Sequence, residues 1–266
     1  MTVKKHLISF GSPNLKKSIK RFITQSKVLK YYDKVKVFSL SDLNKKEKDK
    51  LKKLLRNQKN KKGYGFWSWK PIVIKKYLKQ IKNNDIINYV DLGCHLNPNG
   101  KKRLDFYIKK LNQSKNGMIG FQYKELKKLN DKIYKFQDLY EYKYTKSDLF
   151  EYFDILRKKK FTHTPQFWAG NIFLKKNNFT KNFINNWINV FEKRFDLIDD
   201  TKSKKKNFKN FIKHKSDQSV YSILCKIYKV KSLSAYECEW IYYKKRKYWK
   251  HTLKSPIIAK RDKVFM

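Results

Sequence analysis

With 266 residues, the chain is long enough for one large domain with a real core and short for two. At 40% hydrophobic and 16% aromatic residues it has enough apolar surface to fold, which excludes an intrinsically disordered chain despite a formal charge of +44. That charge points to phosphate-rich partners (nucleic acid, anionic membrane or nucleotide), but 59 Lys stand against 7 Arg, with 21 Asn and only 3 Ala.

Lys, Asn, Ile, Tyr and Phe share A/T-rich codons, so genome-wide base bias accounts for the skew better than selection for reading nucleic acid. A reader of nucleic acid would favour the bidentate contacts of Arg.

In chain order, His6–Phe10 (HLISF) is an apolar run ended by Gly11-Ser12-Pro13, a first buried strand and its turn. Asn14 caps a helix with Leu15, Ile19, Phe22 and Ile23 on one face, and Val35–Leu40 follows as a second strand. Residues 44–62 are dense in lysine with Leu51, Leu54 and Leu55 as their apolar stripe, the pattern of a surface helix with one narrow buried edge. Pro71 opens the next helix, on which Ile74, Tyr77, Leu78 and Ile81 fall at i, i+3, i+4, i+7. Asn83-Asn84-Asp85 breaks it, and Ile86–Val90 is a nearly continuous apolar strand of the kind covered on both faces.

Leu104, Tyr107, Ile108 and Leu111 mark another helix, and Met118–Tyr123 another strand. Residues 124–146 show weak periodicity and read as irregular; Ser147 caps a helix running to about Arg157. Gln166–Leu174 is strand-like, Thr180 precedes a helix facing inward with Phe183, Trp187, Val190 and Phe191, and 202–215 is a basic mobile loop. Val220, Ile223, Leu224, Ile227 and Tyr228 define a last helix, and Ser232 onward reads as tail-like with room for a strand. Alternating strands and helices predict one α/β sandwich.

Two segments carry chemistry. Asp91-Leu92-Gly93-Cys94 leaves a buried strand at its carboxyl end, where ligands of open α/β sheets bind. Gly63–Pro71 (GYGFWSWKP) combines glycines that permit unusual turns, flat tryptophans that pack on rings, and Lys70 at a loop-to-helix junction suited to a phosphate. The plain alternatives are a carboxylate capping a turn and tryptophans that only pack the core.

GYGFWSWKP and, about twenty residues on, YVDLGCHLN together resemble the GT-A glycosyltransferases that act on surface polysaccharides and glycans. The resemblance implies a single GT-A domain over residues 1–266, a Rossmann-like mixed sheet flanked by helices. It implies transfer of a sugar from a nucleoside-diphosphate donor to a glycan, polysaccharide or glycolipid. On it, Phe10 and Gly11 neighbour the base, while Gly63, Tyr64, Trp67 and Lys70 close the donor side. Asp91 engages a divalent cation (Mn2+ or Mg2+) or the ribose, with Gly93 leaving room for phosphate. Where such enzymes usually carry Asp-x-Asp, this chain has Gly93, so only Asp91 carries over and metal dependence stays open. Gln166, Gly170, Asn171 and Gln218 fall on the sugar and acceptor side, and Asp217 orients or deprotonates the acceptor hydroxyl, unless it only caps its helix.

Two rivals use the same letters. VDLGC resembles the first glycine-rich motif of class I methyltransferases, but His95, Leu96 and Asn97 stand where further glycines are required. Residues 240–250 (WIYYKKRKYWK) interleave aromatics and lysines as a stacking-plus-phosphate surface would, which keeps a non-catalytic nucleic-acid binder open. Cys94, Cys225 and Cys238 form no C-x-x-C pair, and no stretch approaches 18 apolar residues. His95 is close enough to Asp91 to join a metal or phosphate site, although an exposed loop histidine is the plainer account. The GT-A resemblance gives His251 interest, because some metal-dependent families place a ligand in the tail. The expectation is a cytoplasmic protein, at most peripheral at an anionic membrane, with no specific nucleic-acid partner.

Overall fold

The structure is a computed structural model that describes residues 2–56, 62–126, 129 and 133–261, leaving aside the side chains of 53 and 54. The Leu54 side chain and residues 57–61 of the expected basic helix, and 127–128 and 130–132 of the expected irregular stretch, lie outside what is described.

Six strands form the main sheet: β1 (Lys5–Phe10), β2 (Lys34–Phe38), β3 (Ile86–Val90), β4 (Met118–Gln122), β5 (Phe167–Lys175) and β6 (Lys231–Ser234). Their spatial order is β2-β1-β3-β5-β4-β6. β1 is parallel to both β2 and β3, β5 runs antiparallel between β3 and β4, and β6 is parallel to β4. The fold is therefore α/β with a mixed sheet, its one reversed strand lying inside the sheet.

Helices cover both faces: α1 (Lys16–Leu29), α2 (Lys45–Arg56), α3 (Trp69–Gln80), α4 (Lys101–Asn112), α5 (Asn178–Lys193) and α6 (Asp217–Ile227). Because strand side chains alternate, successive residues enter opposite cores. Ile8, Tyr89 and Met118 join Ile74, Trp187 and Tyr221 under α3, α5 and α6. Leu7, Val90 and Ile119 join Phe22, Leu104 and Tyr107 under α1 and α4. Burial on both faces is why β1 and β3 read as largely apolar runs, broken only by Ser9 within Leu7–Phe10 and by Asn88 within Ile86–Val90. The start of α5 lies at Asn178, because Asn177 caps it: Thr180 N donates to Asn177 Oδ1 at 2.8 Å and Asn177 N to Thr180 Oγ1 at 3.2 Å.

Three expectations change. The helix opened at Ser147 ends at Tyr152, followed by Asp154 at φ +51°, a left-handed position that stops it. The segment after Ser232 is structure rather than tail. Ala235, Cys238, Ile241, Ile257 and Ala259 are fully buried, Ile241–Tyr243 pairs with Arg246–Tyr248 and Tyr134–Lys135, and Ile257–Ile258 pairs with His95–Leu96. Its lysine-rich wording hid a two-residue strand paired across more than 150 positions, a contact no local pattern encodes. The basic stretch 202–215 has no regular element, and its backbone is tied to the body: Lys204 N and Lys205 N each donate to Asp148 at 2.8 Å.

Candidate active site

The segment from Gly63 to Trp67 is one turn of left-handed helix. All five residues have positive φ: Gly63 58°, Tyr64 54°, Gly65 86°, Phe66 53° and Trp67 59°. Phe66 N donates to Lys62 O at 2.8 Å and Trp67 N to Gly63 O at 3.1 Å. Such a turn costs about 1–2 kcal/mol for each residue with a side chain, so its surroundings must hold it. Phe66 is buried edge-on to Phe195, and the Trp69 indole donates to Gly63 O at 3.1 Å while stacking on Phe10 at 4.2 Å. A Cβ on Gly65 would lie 2.8 Å from Leu51 Cδ1, and one on Gly63 would lie 2.3 Å from the Trp67 ring. The turn presents Tyr64 and Trp67 to a cavity of about 630 Å3.

That cavity opens at the carboxyl ends of β1 and β3. Phe10, the last residue of β1, and Asp91, the first after β3, both line it. Asp91 is fixed by its own N–H on Gly170 O at 2.9 Å and by the Tyr89 hydroxyl, which donates to Asp91 Oδ1 at 2.7 Å. Its side chain keeps 33% exposure. Facing it is Asp217, the first residue of α6, 4% exposed.

The Lys70 ammonium joins the two carboxylates, 2.7 Å from Asp217 Oδ2 and 3.2 Å from Asp91 Oδ1, and donates to Ala169 O at 3.1 Å. Burial alone would lower the Lys70 pKa, but Asp217 and then Asp91 outweigh it and hold it above its ordinary value. Burial lifts the Asp217 carboxyl to about 6 in spite of Lys70, with Asp91 adding to the rise. The loop-to-helix position of Lys70 suits a phosphate; in the fold its charge is taken up by two carboxylates, one from the turn after β3 and one from the start of α6.

Of the other expected residues, Gly93, Gly170 and Gln218 line the cavity. Gly11, Gln166 and Asn171 do not. Gly11 is packed beneath, where a Cβ would meet Ile19 Cδ1 at 2.6 Å. Gln166 is fully buried behind the wall, giving an amide hydrogen to Glu141 and accepting one from Gln218 at 2.9 Å. Asn171 points to the opposite face of β5, accepting from Asn88 at 2.8 Å.

Sequence reasoning missed a cationic wall: Lys62, Lys213, Lys215 and Arg261 line the same cavity. Lys213 and Lys215 lie just before Asp217 and were hidden among lysines everywhere; nothing local marks Arg261. The Lys215 ammonium lies over the Tyr144 ring at 4.7 Å and the Tyr123 ring at 5.6 Å. Burial, with Arg261 adding to it, draws the Lys215 pKa down to about 7. Arg261 Nη2 donates to the buried Glu239 at 2.7 Å.

The residues present do not fit a divalent cation. Among the described residues no three His, Cys, Asp or Glu side chains converge on one point, whereas hard cations take several oxygen ligands. Both carboxylates of the cavity already meet the Lys70 ammonium. His95 and His251 are engaged elsewhere, on Gln25 and on the carbonyls of Tyr236 and Glu239.

The mixed α/β sheet with a cleft at its strand ends defines the fold class. No protein-family model matches the chain, and no curated protein does. Among solved structures it aligns with the glycosyltransferase GlyE of Streptococcus pneumoniae TIGR4 at 11% identity and a TM-score of 0.42, covering 88% of this chain and 46% of that one. It aligns with mouse xyloside xylosyltransferase 1, apo form, at 11% identity and a TM-score of 0.47, covering 89% of this chain and 87% of that one. The chain thus spans about half the length of GlyE. Identities this low set no residue here opposite a residue there, and the chemistry is read from the cavity.

Proposed function

We propose that the protein is a GT-A-type glycosyltransferase, moving a sugar from a nucleoside-diphosphate donor to a hydroxyl of a glycan, polysaccharide or glycolipid. The observation that carries this reading is the meeting of Asp91, Asp217 and Lys70 in a cavity walled by Phe10, Tyr64 and Trp67. The volume, about 630 Å3, falls within the usual range for small-molecule sites. The aromatic wall suits a nucleobase, and Asp91, part-exposed, accepts from a ribose or sugar hydroxyl. Asp217 receives the proton of the acceptor hydroxyl as that oxygen attacks the anomeric carbon, and Lys70 favours its carboxylate form. Gln218, held by Gln166, orients the acceptor beside it.

The rival nucleic-acid surface at 240–250 gains nothing from the structure. Its aromatics pack on one another, Tyr243 on Tyr248 at 5.4 Å and Trp240 on Tyr242 at 4.8 Å.

The test is a thermal-shift screen of nucleoside diphosphates and their sugars with and without Mn2+, followed by product analysis with glycan and glycolipid acceptors. A donor that raises the melting temperature and loses its sugar to an acceptor supports the reading, since ligand binding stabilises by mass action. Saturable binding of S-adenosylmethionine with no response to any nucleotide sugar would overturn it.

A further inference from the structure

We propose that the site binds the diphosphate of its ligand with the side-chain cations Lys213, Lys215 and Arg261, in place of a divalent metal ion. This deepens the sugar-transfer reading and rests on it for the identity of the ligand. Three observations meet. The carboxylates that would hold a metal are spent on Lys70, at 2.7 and 3.2 Å. A cation taking those oxygens would leave an ammonium of 2% exposure without its partners, the costly way to break a buried pair.

Next, the position two beyond Asp91 is Gly93, which offers no third oxygen ligand. Third, the missing positive charge is present in another form. Lys213 and Lys215 come from the strand of chain that leads into Asp217, and Arg261 closes in from the C-terminal segment. Glu239 engages Arg261 from beneath. The Lys215 ammonium rests on two tyrosine faces, and no carboxylate within salt-bridge distance of it is found among the described residues.

Fixed cations aimed at a leaving diphosphate stabilise its developing charge as a metal would. When the bond from the anomeric carbon to the diphosphate oxygen breaks, its electron pair goes to that oxygen. The acceptor oxygen forms the new bond, and its proton passes to Asp217.

The groups facing Lys215 are Arg261 and Lys213, which disfavour its charge, and Glu239 and Glu141, which favour it. Burial and Arg261 thus disfavour the charge on Lys215, and an anion in the cavity would favour it.

The experiment is calorimetric titration of the whole protein with inorganic pyrophosphate, UDP and GDP, in EDTA and in Mn2+ or Mg2+. The expected result is binding of pyrophosphate and of one nucleotide in EDTA, with Kd changing by less than about threefold when metal is added, under the tenfold that 1.4 kcal/mol represents. Lys215→Gln should weaken that binding about tenfold or more with an unchanged melting temperature. It should also flatten the decline in affinity as pH rises through about 7.

Binding that appears only with metal, no binding of pyrophosphate in either condition, or a Lys215→Gln variant that binds as tightly as the parent would each overturn the proposal. The two readings separate cleanly. Pyrophosphate bound in EDTA through Lys215, with no sugar transferred from any donor, refutes sugar transfer and keeps the cationic site. Transfer that requires Mn2+ does the reverse.

Discussion

Asp91 and Asp217 share one ammonium yet sit in different surroundings, Asp91 part-exposed and Asp217 enclosed. Burial lifts the Asp217 carboxyl to about 6, and the proposed role as base needs it ionised. kcat/KM should therefore rise with pH to a plateau above about 6, and Asp217→Asn should lose both the rate and that limb. The same shift has a stability consequence. The folded-state value exceeds the unfolded 3.8, so this group's contribution is full below that value and is lost as pH rises through about 6. Melting curves of parent and Asp217→Asn between pH 4 and 7 should show the parent losing ground as pH rises.

Asp91→Asn keeps the shape and the Tyr89 contact, so folding should survive while transfer falls about 100-fold, as expected when the charged acceptor that holds a ribose or sugar hydroxyl is lost. Near-normal turnover in a well-folded variant would reduce Asp91 to a turn cap. Lys70→Met strands two carboxylates and should cost about 3–5 kcal/mol, a melting-temperature fall of roughly 10 °C for a chain of this size. In the sequence Asp91 and Lys70 were visible as candidates; their ion pair was not, because nothing in letters 21 apart says which side chains turn toward each other.

At the scale of elements, backbone strain gathers around the cavity. Ser216, immediately before α6, sits at φ 48° and ψ −123°, a region all but reserved for glycine. It places Asp217 on the first turn, facing Lys70. Ser216→Gly should relieve that strain and raise stability by about 1 kcal/mol in urea titration, after allowing for glycine's greater freedom when unfolded. Ser216→Ala should give no such gain; equal effects of the two would show that the backbone is not the cause. Gly65→Ala meets both a positive φ and Leu51, and should destabilise by more than about 1 kcal/mol while weakening donor binding through the displaced Tyr64 and Trp67. The glycines of GYGFW were legible as licences for a turn. That Tyr64, Phe66 and Trp67 also adopt the left-handed conformation was not, since the packing of Phe66 and Trp69 imposes it.

For the whole molecule, the charge of +44 divides into a large solvated part and a small local one. Lys45, Lys46 and Lys52 of α2 are exposed and line no part of the cavity. Changing all three to Gln should alter stability by under about 0.5 kcal/mol each and leave sugar transfer on a soluble acceptor unchanged. A large loss on that acceptor would bring α2 into the site; a loss confined to membrane-borne acceptor would place it at an anionic bilayer. Among the described residues, no helix is long and apolar enough to cross a membrane.

The sequence by itself determined the alternation of strands and helices, because burial on both faces writes apolar runs at Leu7–Phe10 and Ile86–Val90 and helical spacing at Ile74–Ile81. It also marked Asp91, Lys70 and Asp217 and the glycines of the 63–67 turn, since unusual residue types in short spacing leave a local signal. Only the tertiary structure decided the antiparallel place of β5 inside the sheet, the burial of Gln166 and Asn171 away from the cavity, and the gathering of Lys213, Lys215 and Arg261 opposite the carboxylates. Each of those depends on contacts between distant segments, and in a chain with 59 lysines the few that matter are distinguished by position in space rather than by letter.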